Sequence, residues 1–256
     1  MFVDSHCHLD KLKDLPDGLD GVIKSAQANS VEHMLCVATS VREYQEMLET
    51  VSAYANVSVS CGVHPLHQAD ACDFNTLLDC VSRPEVVAVG ETGLDYHYSP
   101  ETKAVQQTSF VDHINAANRV KKPLIVHTRD AHTDTIDALS KYKDKETKGV
   151  LHCFTESLEM AEQAMELGFY ISISGIVTFK SASELQQTVK QIPLDRLLIE
   201  TDSPWLAPVP HRGKENKPAY VKDVAYFIAD LKGVSVAQLA KQTTDNFYRL
   251  FDKIKR

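Results

Sequence analysis

Short apolar segments alternate with longer amphipathic segments along the whole chain. The apolar segments have the length of strands, and the polar-faced stretches between them have the period of helices. Strands that are apolar nearly throughout are covered on both faces, which is typical of a parallel sheet packed between helices. The eight predicted strands are Met1 to Cys7, His33 to Ala38, Val57 to Val63, Val86 to Gly90, Leu124 to Val126, Val150 to Phe154, Tyr170 to Ser174 and Leu197 to Thr201.

Several helices have recognisable start and stop signals. Ser99 followed by Pro100 predicts a helix start, and this helix is expected to run to about Val120. It should stop before Lys122, because a residue that precedes proline, here Pro123, disfavours the helical region. Three further pairs have the spacing of a capping box, namely Ser40 with Glu43, Ser181 with Glu184, and Ser235 with Gln238.

The number of alternations predicts the architecture. Eight strand and helix pairs in a chain of 256 residues with 43% hydrophobic content fit one domain over residues 1–256. The expected fold is α/β, a (β/α)8 TIM barrel with its active site at the C-terminal ends of the strands. An open doubly wound sheet is the second possibility, but the Gly-x-Gly-x-x-Gly turn of a dinucleotide site is absent.

The composition bears on where the protein is located and on which partners it can bind. No segment approaches the roughly 20 apolar residues that cross a bilayer, so we expect a cytoplasmic protein without membrane contact. The formal net charge of -8 argues against broad wrapping of nucleic acid, although a local basic patch is compatible with it. No feature indicates a protein partner. Six cysteines without a Cys-x-x-Cys motif are expected to be free thiols, including Cys7, Cys36, Cys61 and Cys153.

Imidazoles and carboxylates recur at the predicted C-terminal ends of the strands. Side chains at this end converge in a barrel, although they are distant in sequence. Four histidines, one glutamate and one aspartate exceed the needs of one tetrahedral zinc ion and suit two ions bridged by a carboxylate. The candidate metal ligands are His6, His8, Glu91, His127, His152 and Asp202.

Each of these residues also has a structural interpretation. A single buried histidine is commonly a satisfied core residue, and a strand-ending aspartate commonly caps the next helix. Six ionisable groups at one end of a barrel are harder to explain in this way, because each buried charge costs several kcal/mol unless it is paired or bound to metal. The remaining histidines are interpreted as structural or solvated, with substrate contact considered for His132 and His211. They are His33, His67, His97, His113, His132 and His211.

Four stretches carry a family resemblance that spans the chain. They are Phe2 to Asp10 (FVDSHCHLD), Gly90 to Asp95 (GETGLD), Val126 to Arg129 (VHTR) and Glu200 to Pro208 (ETDSPWLAP). In these stretches the sequence resembles the TatD family of metal-dependent hydrolases, within the amidohydrolase superfamily. The resemblance implies a distorted TIM barrel and two divalent ions per chain, with Mg, Mn and Zn all admissible.

The resemblance also implies ligand roles by position. His6, His8 and Asp202 would hold one ion, His127 and His152 the other, and Glu91 would bridge both. Many superfamily members bridge their ions with a carboxylated lysine, so a glutamate at this position is typical of the TatD family. Trp205 is a departure, since members commonly have tyrosine there, and it would alter how a base or sugar packs at the mouth.

The resemblance implies a deoxyribonuclease, often a 3′-to-5′ exonuclease on single-stranded DNA, and so a hydrolase of ester bonds. Asp202 is assigned a second role as general base, and Glu91 and His64 complete the catalytic set. His64 would hydrogen-bond the scissile phosphate or the leaving oxygen, or else be structural. Arg129 and Arg212, the latter with Lys214 on its loop, are candidate phosphate ligands, unless they are paired or solvated. Three aromatic residues on loops at the same end are candidates to stack on an unpaired base, namely Trp205, Tyr96 and Tyr98.

Two other functions stay open on the sequence alone. A water activated between two ions attacks a carbonyl carbon as readily as phosphorus, so a D-aminoacyl-tRNA deacylase or another amidohydrolase is an alternative. A noncatalytic metal-binding scaffold would keep the same ligands but needs no open coordination position.

Overall fold

The eight predicted strands form one nearly closed parallel barrel. A computed structural model describes all residues, 1–256, and its single sheet has the strands in sequence order. Backbone bonds between the ends of the first and last strands, from His8 N–H to Ser203 O (2.8 Å) and from Asp202 N–H to His6 O (2.9 Å), close the ring. The strands are β1 Phe2–Cys7, β2 Val31–Cys36, β3 Val57–Cys61, β4 Val86–Asp95, β5 Leu124–Arg129, β6 Gly149–Leu151, β7 Phe169–Ile173 and β8 Leu197–Ile199.

Helices cover the outside of the barrel and close its base. Phe247, Leu250 and Phe251, at the C-terminal end of the last helix, pack against inward-facing strand residues such as Val3 and Leu198. The two ends of the barrel therefore differ, because the base is filled with apolar side chains and the site lies at the other end. The helices are α1 Gly18–Ala28, α2 Tyr44–Val51, α3 Phe74–Ser82, α4 Lys103–Val120, α5 His132–Tyr142, α6 Leu158–Glu166, α7 Ser183–Gln191, α8 Val221–Lys232 and α9 Val236–Leu250.

Two of the predicted helix signals are confirmed, two are wrong, and one is displaced. The start predicted at Ser99 and Pro100 is a short 3-10 turn over Pro100–Thr102 without a side-chain cap, and α4 begins at Lys103. α4 ends at Val120, where Lys121 adopts a left-handed conformation, and Ser235 accepts a hydrogen bond from Gln238 N–H at the start of α9. Ser40 does not cap α2, because its hydroxyl accepts from Arg42 N–H in a local turn instead. Ser181 does not cap α7, which begins at Ser183 without a side-chain cap.

The fourth and fifth strands extend beyond their predicted ends, so Glu91 and His127 lie within strands rather than after them. The extension pairs Gly93 with His127 and Asp95 with Arg129. Gly93 has a φ of 136°, and a Cβ at this position would overlap the carbonyl oxygen of His127. Only glycine permits this close approach, which carries β4 past Glu91 toward the rim.

The prediction that all cysteines are free is wrong for one pair. Cys61 at the end of β3 and Cys80 on α3 form a disulfide, whereas Cys7, Cys36 and Cys153 are free. The partners are far apart in sequence and have no motif spacing, so only the packing of α3 against β3 brings them together. None of the helices combines the length and the apolar character that crossing a bilayer requires.

Candidate metal centre

The six candidate ligands lie together at the carboxyl end of the barrel. His6 and His8 are two residues apart on an extended backbone, so both side chains point to the same side, with their Nε2 atoms 3.2 Å apart. His152 directly follows β6, and Asp202 follows β8 by three residues. All of them are buried apart from His127 and Asp202, which are partly exposed.

Glu91 stands at the centre of this group. Its Oε2 lies 3.4 Å from His6 Nε2, and its Oε1 lies 2.6 Å from His152 Nε2 and 3.2 Å from His127 Nδ1. Asp202 Oδ1 lies on the side of the first pair, 3.5 Å from His8 Nε2 and 3.7 Å from His6 Nε2. The carboxylate of Glu91 therefore presents one oxygen to each half of the histidine set.

A second contact orients three of the imidazoles. His8 Nδ1 donates to the carbonyl oxygen of Val37 at 2.9 Å, which leaves its Nε2 lone pair directed into the centre. His127 Nε2 lies 3.1 Å from Asp95 Oδ2, so its Nδ1 lone pair faces Glu91.

The third of these imidazoles is held by Glu200, two residues before Asp202 in the sequence. His152 Nδ1 lies 3.4 Å from Glu200 Oε1, a longer approach that orients its Nε2 toward the centre. Such outer carboxylates and carbonyls typically orient histidines that bind metal.

His64 has the opposite arrangement. Its Nδ1 accepts a hydrogen bond from Leu66 N–H at 3.0 Å, so in the neutral imidazole the proton is on Nε2. This Nε2 lies 3.2 Å from Glu91 Oε1 and points into the site. His64 therefore presents a donor where His8 and His127 present lone pairs, although its position, beside Glu91 and His127, would also suit a ligand.

The two carboxylates of the centre, Glu91 and Asp202, both have lowered pKa values. Burial raises the pKa of Glu91, but the neighbouring imidazoles of His152 and His64 outweigh it and hold the pKa well below the usual range. Burial likewise opposes ionisation of Asp202, and the hydrogen bond and charges from His8 and His6 lower its pKa. Both carboxylates are therefore ionised in the folded protein.

The donor set fits divalent cations. The Nε2 atoms of His6 and His8 are held at hydrogen-bond distance beside an ionised Glu91 and Asp202, and imidazole with carboxylate is a common ligand set for Zn and Mn. The Nδ1 atom of His6 is buried without a hydrogen-bond partner, so no outer contact accounts for the position of this ring. Buried polar groups are otherwise almost always satisfied.

A cavity of about 600 Å³ opens directly above the centre. Arg129 lines it, contacts Thr155 Oγ1 through Nη1 at 3.2 Å, and makes no ion pair. Asp130, a possible partner by sequence, pairs with His97 instead. Trp205, with half of its surface exposed, forms one wall above His8.

Of the other candidate substrate contacts, some line the cavity and others lie outside it. Tyr98 lines the cavity, as does His67, which the sequence did not single out. Arg212 lies over the ring of Phe179 at 4.1 Å and does not line the cavity. The hydroxyl of Tyr96 binds Asp134. His132 and His211, considered as substrate contacts, bind Gln163 and Asp223 and also lie outside the cavity.

Three buried carboxylates that sequence reasoning assigned no role support the centre. Asp95 and Glu200 orient His127 and His152, as described above. Asp4 accepts hydrogen bonds from Thr201 N–H (2.8 Å) and Thr201 Oγ1 (2.5 Å), joining β1 to the segment that carries Asp202. Burial raises the pKa of Asp4 to about 8, in spite of these bonds. All three lie in the stretches that carried the family resemblance, and their acidic character in apolar surroundings was the available signal.

The family described as TatD related DNase matches residues 3–252 of this chain. The chain belongs to the TatD family. It is 55% identical over 251 residues to the metal-dependent hydrolase YcfH of Escherichia coli K12, with 97% of this chain and 95% of that protein aligned. It is 34% identical to the 3′-5′ ssDNA/RNA exonuclease TatD of Escherichia fergusonii, with 91% and 92% aligned. The chain is thus a metal-dependent hydrolase of the TatD family.

A solved TatD structure has the same barrel. The crystal structure of YjjV, a TatD homologue from Escherichia coli K12, superimposes with a TM-score of 0.91 at 28% identity, covering 98% of both chains. The predicted fold class and family are therefore confirmed.

Proposed function

We propose that this TatD-family hydrolase is a phosphodiesterase that uses two divalent ions to remove nucleotides from the 3′ end of single-stranded DNA. The observation that carries the proposal is the position of Glu91, whose two oxygens face different histidines, His6 on one side and His127 and His152 on the other. A carboxylate so placed suits a pair of ions better than one ion. The exonuclease name of the Escherichia fergusonii relative supports the choice of substrate.

In this proposal His6, His8 and Asp202 would hold one ion and His127 and His152 would hold the other, with Glu91 between the two groups. When bound, such ions would supply an activated water and would stabilise charge on the attacking and leaving oxygens of a phosphodiester. The grouping of His127 with His152 is supported by their common approach to Glu91 Oε1.

The protein's own side chains then supply positioning and proton transfer. Asp202 is ionised and partly exposed in the cavity, so it can accept the proton of the attacking water. Arg129 has no carboxylate partner, so its guanidinium is free to bind a nonbridging phosphate oxygen. His64 donates from Nε2 to the leaving oxygen, in keeping with the tautomer that Leu66 imposes.

Trp205 provides the apolar part of the substrate site. Its ring stands over His8 with half of its surface exposed, in a position to stack on the terminal base. Stacking of this kind contributes about 1 to 3 kcal/mol per base and tolerates any sequence. The open cavity also distinguishes the proposal from a closed metal-binding scaffold, because a scaffold needs no room above its ligands.

The deciding experiment compares substrates under metal control. Protein stripped with chelator is reconstituted separately with Mg, Mn and Zn, and assayed on bis-p-nitrophenyl phosphate, on single-stranded DNA labelled at either end, and on D-aminoacyl-tRNA. The proposal expects metal-dependent release of mononucleotides from the 3′ end. Deacylation without phosphodiester cleavage would favour the amidohydrolase alternative, and inactivity on every substrate would favour the scaffold. Glu91→Gln serves as the matched inactive control.

A further inference from the structure

On one side of the cavity mouth, the loops offer little free positive charge. On the loops that follow β1 and β2, Lys11 lies 3.0 Å from Asp10 and 3.1 Å from Glu43, and Lys13 lies 2.7 Å from Glu46. Each of these lysines is therefore neutralised by at least one carboxylate. A polynucleotide that ran across this part of the rim would meet no unpaired cation.

The same holds further around the rim. Arg42, which follows β2, lies 3.6 Å from Asp70, and Lys103, at the start of α4, lies 2.8 Å from Asp134. The exceptions are the loops after β7 and β8, where Lys180, Arg212, Lys214 and Lys217 make no ion pair, although none of them lines the cavity.

Within the cavity, Arg129 is the single lysine or arginine side chain, and it faces Glu91, Asp95 and Asp202 on the other walls. The chain has a net charge of -8, and free positive charge near the cavity is confined to Arg129 and to the loops after β7 and β8, so a long polyanion meets cations on one side only. The cavity of about 600 Å³ likewise has room for the end of a strand rather than for an extended segment.

We infer that the substrates are short oligonucleotides of about two to four residues, held through about three phosphates at most. One phosphate would lie at the metal centre, one at Arg129, and one more on the side where the loops after β7 and β8 carry Lys180 and Arg212. The base at the cleaved end stacks on Trp205. This inference rests on the proposed phosphodiesterase function and narrows its substrate class from single-stranded DNA in general to short pieces, such as other nucleases leave behind.

The test is a length series at two salt concentrations. kcat/KM is measured per 3′ end for a dinucleotide, a tetranucleotide and a strand of about 20 nucleotides, at about 50 mM and about 200 mM salt. Bis-p-nitrophenyl phosphate, which carries one phosphate, is the control for any effect of salt on the metal centre. Each rate is expressed relative to this control at the same salt.

We expect kcat/KM to reach a plateau by the tetranucleotide, with the value for the long strand within about threefold of it. Between the two salt concentrations kcat/KM should fall by about 20-fold or less. A long strand at least ten times better than the tetranucleotide would overturn the inference. So would a salt effect of about 300-fold, which corresponds to six or more phosphate contacts on a single strand. If no oligonucleotide of any length is hydrolysed, the proposed function itself fails, so the two failures are distinct.

Discussion

The backbone N–H of Leu66 donates a hydrogen bond to Nδ1 of His64, 3.0 Å away, and this single contact fixes which ring nitrogen carries the proton. The proline between them, Pro65, begins a short 3-10 turn that holds the geometry. A histidine whose outer nitrogen accepts cannot also present a lone pair to a metal without losing this bond. His64 is thus distinguished from its neighbour His127, whose outer nitrogen meets a carboxylate.

The first prediction follows from this tautomer. His64→Gln should keep full metal content but lower kcat on a dinucleotide by about 100-fold or more, since loss of a positioned hydrogen bond to the charge that develops on the leaving oxygen typically costs at least that much. The loss should be small on bis-p-nitrophenyl phosphate, because p-nitrophenolate delocalises its negative charge and depends less on a donor. His127→Gln is the matched comparison and should lose metal. Metal loss in His64→Gln, or equal losses on both substrates, would contradict the assignment.

The second prediction concerns Glu91. Glu91→Gln preserves volume but removes the negative charge that the surrounding imidazoles share, so two cations would repel each other with less compensation. One ion should be lost, and activity should fall by orders of magnitude while the barrel remains folded. Metal analysis beside nuclease kinetics and circular dichroism checks this. Two retained ions with near-normal turnover would mean that Glu91 is not the bridge.

The fold was predictable because burial imposes the pattern. Strands covered on both faces must be apolar nearly throughout, so the strand that begins at Leu197 can be predicted from its apolar sequence alone. The convergence of His6 and Asp202 follows from the same rule, since all parallel strands of a barrel end on one face.

Other features depend on packing that no local pattern contains. Glu91 was expected at the end of a strand, but β4 continues to Asp95 because glycine lets two backbones approach. Arg129 and Arg212 both seemed near the site in sequence, yet only Arg129 lines the cavity. The pairing of Cys61 with Cys80 depends on how α3 lies against β3.

The third prediction uses Arg129, which lines the cavity without an ion pair. Arg129→Gln should weaken binding of single-stranded DNA and reduce the dependence of log K on log salt by about 0.7, the contribution of one phosphate contact. Metal content should not change. Fluorescence anisotropy over a salt series measures both quantities.

Arg42→Gln is the matched control, since Arg42 lies on the rim but is paired with Asp70. Its substitution should leave affinity and salt slope within error of the parent protein. If Arg129→Gln behaves like this control at both low and high salt, Arg129 has a structural role through Thr155 rather than a role in binding.

The last prediction concerns His113, a buried histidine on α4 that holds the segment leading to His64. Its Nε2 accepts from Val63 N–H at 3.0 Å and its Nδ1 donates to Ser109 O at 2.6 Å, so the bond from Val63 requires the neutral ring. Burial lowers its pKa from 6.5 to about 4, although the bond to Ser109 opposes the shift.

Protonation of His113 is therefore easier in the unfolded chain than in the folded protein. The stability that the neutral ring contributes is present above pH 6.5 and is lost as the pH falls toward 4, because the unfolded chain binds the proton first. From about pH 7 to about pH 5 this one group should cost about 2 kcal/mol of unfolding free energy. His113→Gln, whose amide can both accept from Val63 and donate to Ser109, does not titrate. Denaturant unfolding of both proteins is measured with chelator present over the same pH range. The unfolding free energy should fall more steeply with decreasing pH in the parent protein than in the variant. Parallel curves of unfolding free energy against pH would mean that His113 is not the group responsible.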